Sequence, residues 1–373
     1  MAPSKDDVLA ALAKVASPEG KPLTDTGTLS DVVVTDGKVF FSITVDAGTV
    51  KQWEPVRERA EAAIRALPGI TLVLVALTGE RAAGSGAAAP PRRPQTAPGA
   101  AHAPAGPAGI PGVAAIIAVA SGKGGVGKST VAVNLALGLR DLGLKVGILD
   151  ADIYGPSMPK LLAIRERPQT VGGTRLKPIV RHGMPVMSIG FLVEEETPMI
   201  WRGPMVMSAL TQMLREVEWG TLDVMVVDMP PGTGDAQLTM AQQVPLRGAV
   251  IVSTPQDLAL IDARRGIAMF RRVNVPVLGV VENMSMFICP HCGTRSDIFG
   301  HGGARHEAER LGVPFLGEVP LAMDIREKSD AGAPVVATEP DGPHAKIFRD
   351  IAARVRDGFM AAGRPAPKIV IEG

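Results

Sequence analysis

At 373 residues the chain is long enough for about two domains. Its 39 basic and 38 acidic side chains nearly cancel, which excludes a protein that binds polyanions through bulk charge. Its apolar content comes from Ala, Val, Leu and Ile, and no apolar run approaches the ~20 residues that span a bilayer. Neither nucleic acid nor membrane is therefore an expected partner. The opening residues, Met1 to Asp7, are charged and show no apolar signal core, so the expected location is cytoplasmic. The only two cysteines are Cys289 and Cys292. One close pair is no disulfide framework and points to a metal or redox site.

Residues 1–81 read as a small α/β domain. Val8, Leu9, Leu12 and Val15 recur at helical spacing. Two strand patterns, Asp31 to Val34 and Val39 to Val45, flank the hairpin signal Asp36-Gly37. Val56 to Leu67 predicts a second helix, stopped by Pro68-Gly69, and Ile70 to Leu77 predicts a last strand. Residues 82–112 are dominated by Ala, Pro and Gly, with Arg92 and Arg93 as the main charges, and read as an extended linker.

Residues 113–373 alternate short Val/Ile/Leu-rich runs with helical stretches. The strand candidates are Ala114–Ala120, Lys145–Leu149, Asp223–Val227, Ala249–Ser253, Val277–Val281 and Pro314–Leu316. The helices include Val131–Leu142, Val206–Leu214, Leu258–Arg272 and His344–Met360. In the last, Ile347, Phe348, Ile351, Val355 and Phe359 make one apolar face. Near-continuous apolar strands alternating with helices predict a mainly parallel, doubly wound α/β sheet covered on both faces. Ligands of such sheets sit beyond the carboxyl ends of the strands.

Chemistry-bearing motifs fall at those ends. The first strand of this half runs into Ser121-Gly122-Lys123-Gly124-Gly125-Val126-Gly127-Lys128-Ser129-Thr130, and a helix pattern follows. Strand, glycine-rich turn and helix form the context of a phosphate-binding loop, and Gly122, Gly127, Lys128 and Ser129 fit the G-x-x-x-x-G-K-[ST] spacing. Loop N–H groups and the positive end of the helix would surround phosphate oxygens. Lys128 would reach the β- and γ-phosphates of ATP, and the Ser129 hydroxyl would ligate Mg²⁺.

After the next strand, Asp150-Ala151-Asp152-Ile153-Tyr154-Gly155-Pro156-Ser157 brings two carboxylates toward the phosphates. They can hold Mg²⁺ waters or orient an attacking water, or cap the following turn, Asp150 in particular. Asp228 ends an apolar run in Val226-Val227-Asp228-Met229-Pro230-Pro231-Gly232-Thr233-Gly234-Asp235. An unpaired charge there is costly, and a nearby Mg²⁺ shell explains it. Gly232 can bring its N–H near a γ-phosphate. Later strand ends give Ser253-Thr254-Pro255-Gln256-Asp257 and Glu282-Asn283-Met284-Ser285.

Cys289-Pro290-His291-Cys292-Gly293 puts two thiolates on one tight turn, a suitable bite for a soft metal or an iron–sulfur cluster. Zinc or a [4Fe–4S] cluster generally takes four protein ligands, and one chain supplies two cysteines. Two chains would supply the set, giving a site that bridges a homodimer, unless His291 or His301 completes it within one chain. A thioredoxin-like redox dithiol would open a helix, which the immediately following Gly293 argues against.

Several stretches resemble known families. The order helix, hairpin, helix, strand, with Val15-Ala16-Ser17-Pro18-Glu19 and Leu67-Pro68-Gly69-Ile70, resembles the MIP18-like domain that accompanies iron–sulfur assembly proteins. Some relatives have Asp where Ser17 stands, and some have a reactive cysteine. This domain has none, which excludes a thiol role and favours docking or packing. With its early Lys123, Gly122 to Ser129 resembles the deviant Walker A of the MinD, ParA and nitrogenase-iron-protein group. There the early lysine crosses a dimer interface to the partner's nucleotide.

By that resemblance Lys123, Lys128 and Asp152 are catalytic, with Asp152 orienting water from switch I. Asp150 is an outer-shell partner of Mg²⁺, Asp228 and Gly232 belong to Walker B and switch II, and Asn283 contacts adenine. The combined set, with Ile298-Phe299-Gly300-His301-Gly302-Gly303, looks like the Mrp/ApbC-type iron–sulfur cluster carrier ATPases. The resemblance implies a homodimeric, slow ATP hydrolase that holds a [4Fe–4S] cluster at Cys289 and Cys292, takes it from a donor and passes it to apo-proteins. An N-terminal cysteine cluster, as in eukaryotic scaffold relatives, is absent, so a second permanent cluster is not expected. Two other readings stay open. One is a ParA- or MinD-like spatial-organising switch with a structural zinc, although Pro365 to Gly373 is too short and weakly charged for a helix anchor. The other is a metabolic ATP-dependent enzyme with a structural zinc.

Overall fold

Runs such as Ile116–Ala120 and Val224–Asp228 are buried at every position, so both faces of the sheet they form must be covered. The computed structural model describes residues 3–30, 32–35, 37–46, 48–70, 72–80, 109–171, 175–192 and 203–361. The expected linker with Arg92 and Arg93 lies outside these as far as residue 108, as does the tail from Pro365 to Gly373. The chain divides into two compact units, Met1–Ala105 with Ile200–Thr211, and Gly106–Met199 with Gln212–Gly373.

In the first unit α1 (Lys5–Leu12) starts at Ser4, whose hydroxyl accepts from Asp7 N while the Asp7 carboxylate accepts from Ser4 N, a reciprocal capping box. Strands β1 (Val33–Thr35) and β2 (Lys38–Asp46) pair antiparallel, with Thr35 opposite Lys38; of the expected hairpin signal Asp36-Gly37, Asp36 lies outside the described residues. Helix α2 (Val50–Arg65) leads to β3 (Leu72–Glu80), which pairs parallel with β2. Val8, Leu12, Phe41, Ile43, Val56 and Ile64 share the core. Helix α2 begins six residues before the expected Val56 and runs through Pro55. A proline early in a helix removes one intrahelical bond, and burial of Trp53 one turn ahead of Val56 outweighs it.

The second unit runs in order: β4 (Ile116–Ala120), α3 (Lys128–Asp141), β5 (Val146–Asp150), α4 (Met158–Leu161), β6 (Gln169–Val171), β7 (Arg175–Lys177), β8 (Ile179–Arg181) and β9 (Met184–Ser188). Next come α5 (Gly203–Arg215), which straddles the boundary between units, β10 (Val224–Asp228), α6 (Asp235–Gln243), β11 (Gly248–Ser253), α7 (Asp257–Arg272) and β12 (Val277–Ile288). The chain closes with β13 (Arg295–Ser296), α8 (Gly303–Leu311), β14 (Phe315–Leu321), α9 (Met323–Asp330), α10 (Val335–Thr338) and α11 (Pro343–Ala361). Nine described strands form one sheet in the order β13-β12-β11-β4-β10-β5-β9-β8, with β14 also on β12. All pairs are parallel except β8–β9 and β12–β13 at the two edges. This bears out the mainly parallel doubly wound sheet.

Helix α3 is buried from Val131 to Leu139, and α11 lies against it so closely that a Cβ at Gly138 would sit 2.9 Å from Ala352 Cβ. Phe348, Ile351, Val355 and Phe359 are the buried face of α11, and Ile347 is half-buried. The edge hairpin β8–β9 carries no alternating pattern and went unpredicted. Strand β12 runs seven residues past the expected Val281. Glu282 and Asn283 read as a polar strand end, yet both are buried and satisfied by distant partners. Among the described residues no helix is long and apolar enough to cross a membrane.

Candidate nucleotide site and cysteine turn

Because β4, β5, β10, β11 and β12 are parallel, their carboxyl ends face one way. Ser121, Asp150, Asp228, Ser253 and Glu282 therefore gather along one edge of the sheet. The loop from Gly122 to Gly127 joins β4 to α3, and Gly127 caps α3 with φ 78°. Two glycines are required by contact. A Cβ at Gly122 would lie 2.2 Å from the Asp262 backbone, and one at Gly127 would lie 2.2 Å from Asn283 Nδ2. Gly124, Gly125, Val126 and Gly127 donate no backbone hydrogen bond among the described residues, which leaves a concave set of N–H donors at a helix N-terminus. Thr130 sits in the first turn of α3, and its carbonyl accepts from Asn134 Nδ2.

Lys128 is only 6% exposed, and its ammonium donates to Asp228 Oδ1 at 2.5 Å and to Ser129 Oγ at 3.2 Å. Asp152 Oδ2 stands 3.8 Å from the same ammonium. Asp228 is fully buried, and its Oδ2 has no hydrogen-bond partner. A buried, unpartnered carboxylate oxygen is costly unless a cation or its water completes it. Ser129, Lys128, Asp152 and Asp228 thus converge as the motifs predict. Burial, opposed by Lys128 and reinforced by Asp228, pushes the Asp152 carboxyl up.

Asp150 is engaged differently. Oδ2 accepts from Ser157 N, Met158 N and Ser188 Oγ at 2.9–3.0 Å, and Oδ1 accepts from Asp152 N. This is the turn-capping arrangement, and the Ser188 contact spans 38 residues that sequence reasoning could not join. Burial first, then the charge of Asp228, push the Asp150 carboxyl from 3.8 up to about 7. Between those values the folded protein keeps a proton that the unfolded chain has released. The stabilisation is full below the unfolded value of 3.8 and is lost as pH rises through about 7. The stability advantage of the wild type over Asp150→Asn should therefore shrink between those limits and level off above them. Thermal unfolding of both proteins across the range checks this, and an advantage that grows with pH contradicts it.

Two of the three other predicted groups have protein partners. Gly232 N donates to Ser121 O at 3.0 Å, tying switch II to the start of the phosphate loop. Asn283 Nδ2 donates to Val126 O at 2.8 Å and so grips the loop from behind. The Lys123 ammonium has no hydrogen bond or ion pair among the described residues, and its carbonyl accepts from Ser121 Oγ. Two buried side chains carried no predicted role. Gln237 reaches Pro230 O, and Glu282 accepts from Ser285 Oγ, Gly302 N and Ala304 N. Glu282 lies in the strand-end motif Glu282-Asn283-Met284-Ser285, but nothing local shows that it joins the start of α8.

The cysteines occupy the turn between β12 and β13. Cys289 N donates to Thr294 O and Gly293 N to Cys289 O, closing the turn, so the pair lies on a hairpin and not at a helix start. Cys289 is half-buried and Cys292 exposed. The Thr294 hydroxyl first, then its backbone and Cys289, hold the Cys292 thiol below its ordinary value, which favours thiolate and metal binding. His301 does not complete this site. Its Nδ1 lies 3.1 Å from Ser285 Oγ, and its two ring nitrogens face Glu282 and Glu318.

A family model described as NUBPL iron-transfer P-loop NTPase matches residues 112–356, and one described as iron-sulfur cluster assembly protein matches residues 5–75. The iron-sulfur cluster transfer protein NUBPL of Dictyostelium discoideum is 55% identical over 238 residues, 63% of this chain and 74% of that relative. The iron-sulfur cluster carrier protein of Escherichia coli K12 is 56% identical over 249 residues, 66% of this chain and 68% of that one. Among solved structures, a nucleotide-binding protein from Archaeoglobus fulgidus in complex with ADP, with Co found by PIXE, aligns with TM-score 0.55 and 40% identity over 63% of this chain and 91% of its own. These matches bear out the resemblance to the iron–sulfur cluster carrier ATPases and that of the N-terminal domain to the MIP18-like domain. With two thirds of its length, phosphate loop and cysteine turn included, inside the first model, the chain belongs to the NUBPL iron-transfer P-loop NTPase family.

Proposed function

We propose that this chain is an ATP-hydrolysing carrier that holds a [4Fe–4S] cluster between two copies of itself and passes it to apo-proteins. The observation that carries the reading is the exposed Cys289–Cys292 turn, which offers two thiols per chain where a cluster takes four ligands. The names of the relatives support the cargo. An N-terminal assembly domain of residues 1–81, a linker of 82–112 and an ATPase domain of 113–373 belong to the same reading.

In the nucleotide site, Mg²⁺ when bound neutralises phosphate charge. The unpartnered Asp228 Oδ2 and the Ser129 hydroxyl beside Lys128 fit it. The loop N–H groups bind phosphate oxygens, and Lys128 exchanges part of its contact with Asp228 for the β- and γ-phosphates. Asp152, kept close to that ammonium, orients the attacking water. Asp150 supports it from behind by fixing the turn to α4. Lys123, whose ammonium has no partner among the described residues, reaches the nucleotide of the second copy, and Asn283, which holds the loop through Val126 O, contacts adenine. Hydrolysis is slow and gates the cluster, because Gly232 must release Ser121 O before its N–H can turn to a phosphate.

Transfer is the test. Protein loaded anaerobically and mixed with an apo [4Fe–4S] enzyme should restore that enzyme's activity as its own visible absorption falls. Iron that stays bound while the apo-enzyme remains inactive rejects the carrier reading.

A further inference from the structure

Strand β12 links the two sites. At Asn283 it holds the phosphate loop through Val126 O, and Gly127 has no side chain where the Asn283 amide passes. Six residues later it reaches Cys289, roughly 20 Å away at ordinary strand rise. The strand is not uniform over that distance. Its register with β14 shifts between Asn283 and Phe287, and Met284 in that stretch has φ 56°, a left-handed conformation that non-glycine residues rarely adopt.

The irregular stretch is held on its buried side. Ser285 Oγ donates to Glu282 Oε1 at 2.5 Å, and the same hydroxyl lies 3.1 Å from His301 Nδ1. Glu282 also accepts from Gly302 N at 3.0 Å and Ala304 N at 2.7 Å, at the start of α8. Glu282 and Ser285 are fully buried, so these bonds do not compete with water. Beyond the shift, Phe287 pairs with both Ser296 and Leu321, and the cysteine turn follows.

We propose that Met284 and Ser285, braced by Glu282 and His301, are positioning residues that transmit the state of the phosphate loop along β12 to the cysteine turn. A displacement of Val126 O moves Asn283. The left-handed Met284 and the Ser285–Glu282 bond keep the bulge from absorbing that motion, so it re-aims the strand carrying Cys289. A bulge left unbraced would dissipate it. The inference rests on the nucleotide and cluster reading above.

The test uses the full chain, reduced and without cluster. N-ethylmaleimide labelling of Cys289 and Cys292 is followed by mass spectrometry with and without Mg²⁺ and a non-hydrolysable ATP analogue, and analogue binding is titrated separately. Bound analogue should change the wild-type labelling rate at least about fivefold, the low end of ordinary coupling energies. Ser285→Ala and Met284→Gly should bind the analogue as the wild type does and lose that change. Glycine accepts the φ of Met284 without strain, so the second variant keeps the fold. A wild-type rate that ignores bound analogue, or variants that both keep the response, overturns the coupling. A wild type that binds no analogue removes the nucleotide reading itself, and the coupling with it.

Discussion

Replacing Lys128 by alanine should abolish nucleotide binding and also destabilise the protein by about 3–5 kcal/mol, the usual effect of removing one partner of a buried ion pair. The ammonium is the only cation within 4 Å of Asp228 or Asp152 among the described residues. Without it, the fully buried Asp228 faces Asp150 with no counter-charge, and Asp150 already has its carboxyl pushed up to about 7. The loss therefore has two separable parts, which a cycle of variants resolves. Lys128→Met with Asp228→Asn removes both charges and should recover most of the stability and none of the binding. Denaturant unfolding and titration with a fluorescent ADP analogue read the two parts. A wild-type unfolding midpoint for Lys128→Ala would show that the pair contributes nothing to the fold.

Replacing Cys292 by alanine should leave the fold intact and abolish cluster loading. The side chain is exposed, and exposed substitutions usually change stability by less than about 0.5 kcal/mol. A cluster shared between chains makes a sharper prediction. When wild type and Cys292→Ala are mixed in equal amounts and allowed to exchange before reconstitution, random pairing leaves about a quarter of the dimers with a full thiol set. Loading should then fall to about a quarter of the wild-type value. A site complete within one chain predicts about half. Iron content and visible absorption distinguish the two.

What was legible in the sequence had a local cause. Gly122 to Ser129 is a continuous loop whose spacing is its chemistry, and the all-apolar strands before Lys123, Asp150 and Asp228 announced a parallel sheet with ligands at one edge. Contacts that cross the chain were not legible. Asn283 meets Val126 across 157 residues, Ser188 meets Asp150 across 38, and Glu282 meets Ala304 across 22. Asp150 shows the consequence: capping of the following turn through Ser157 N and Met158 N was readable locally, while the Ser188 hydroxyl that completes the set comes from a distant strand. Helix α2 likewise starts at Val50, ahead of the expected Val56, and runs through Pro55 with Trp53 buried. The bulge at Met284 has no sequence signature, and it lies on the path between the two sites.

In the proposed function, Cys289 and Cys292 of two copies share one cluster. Native mass spectrometry of protein reconstituted anaerobically with iron and sulfide tests it most directly. The expected species is two chains with one [4Fe–4S] cluster, absent from Cys289→Ala. A cluster carried by a single chain, or a colourless protein retaining zinc, would contradict it.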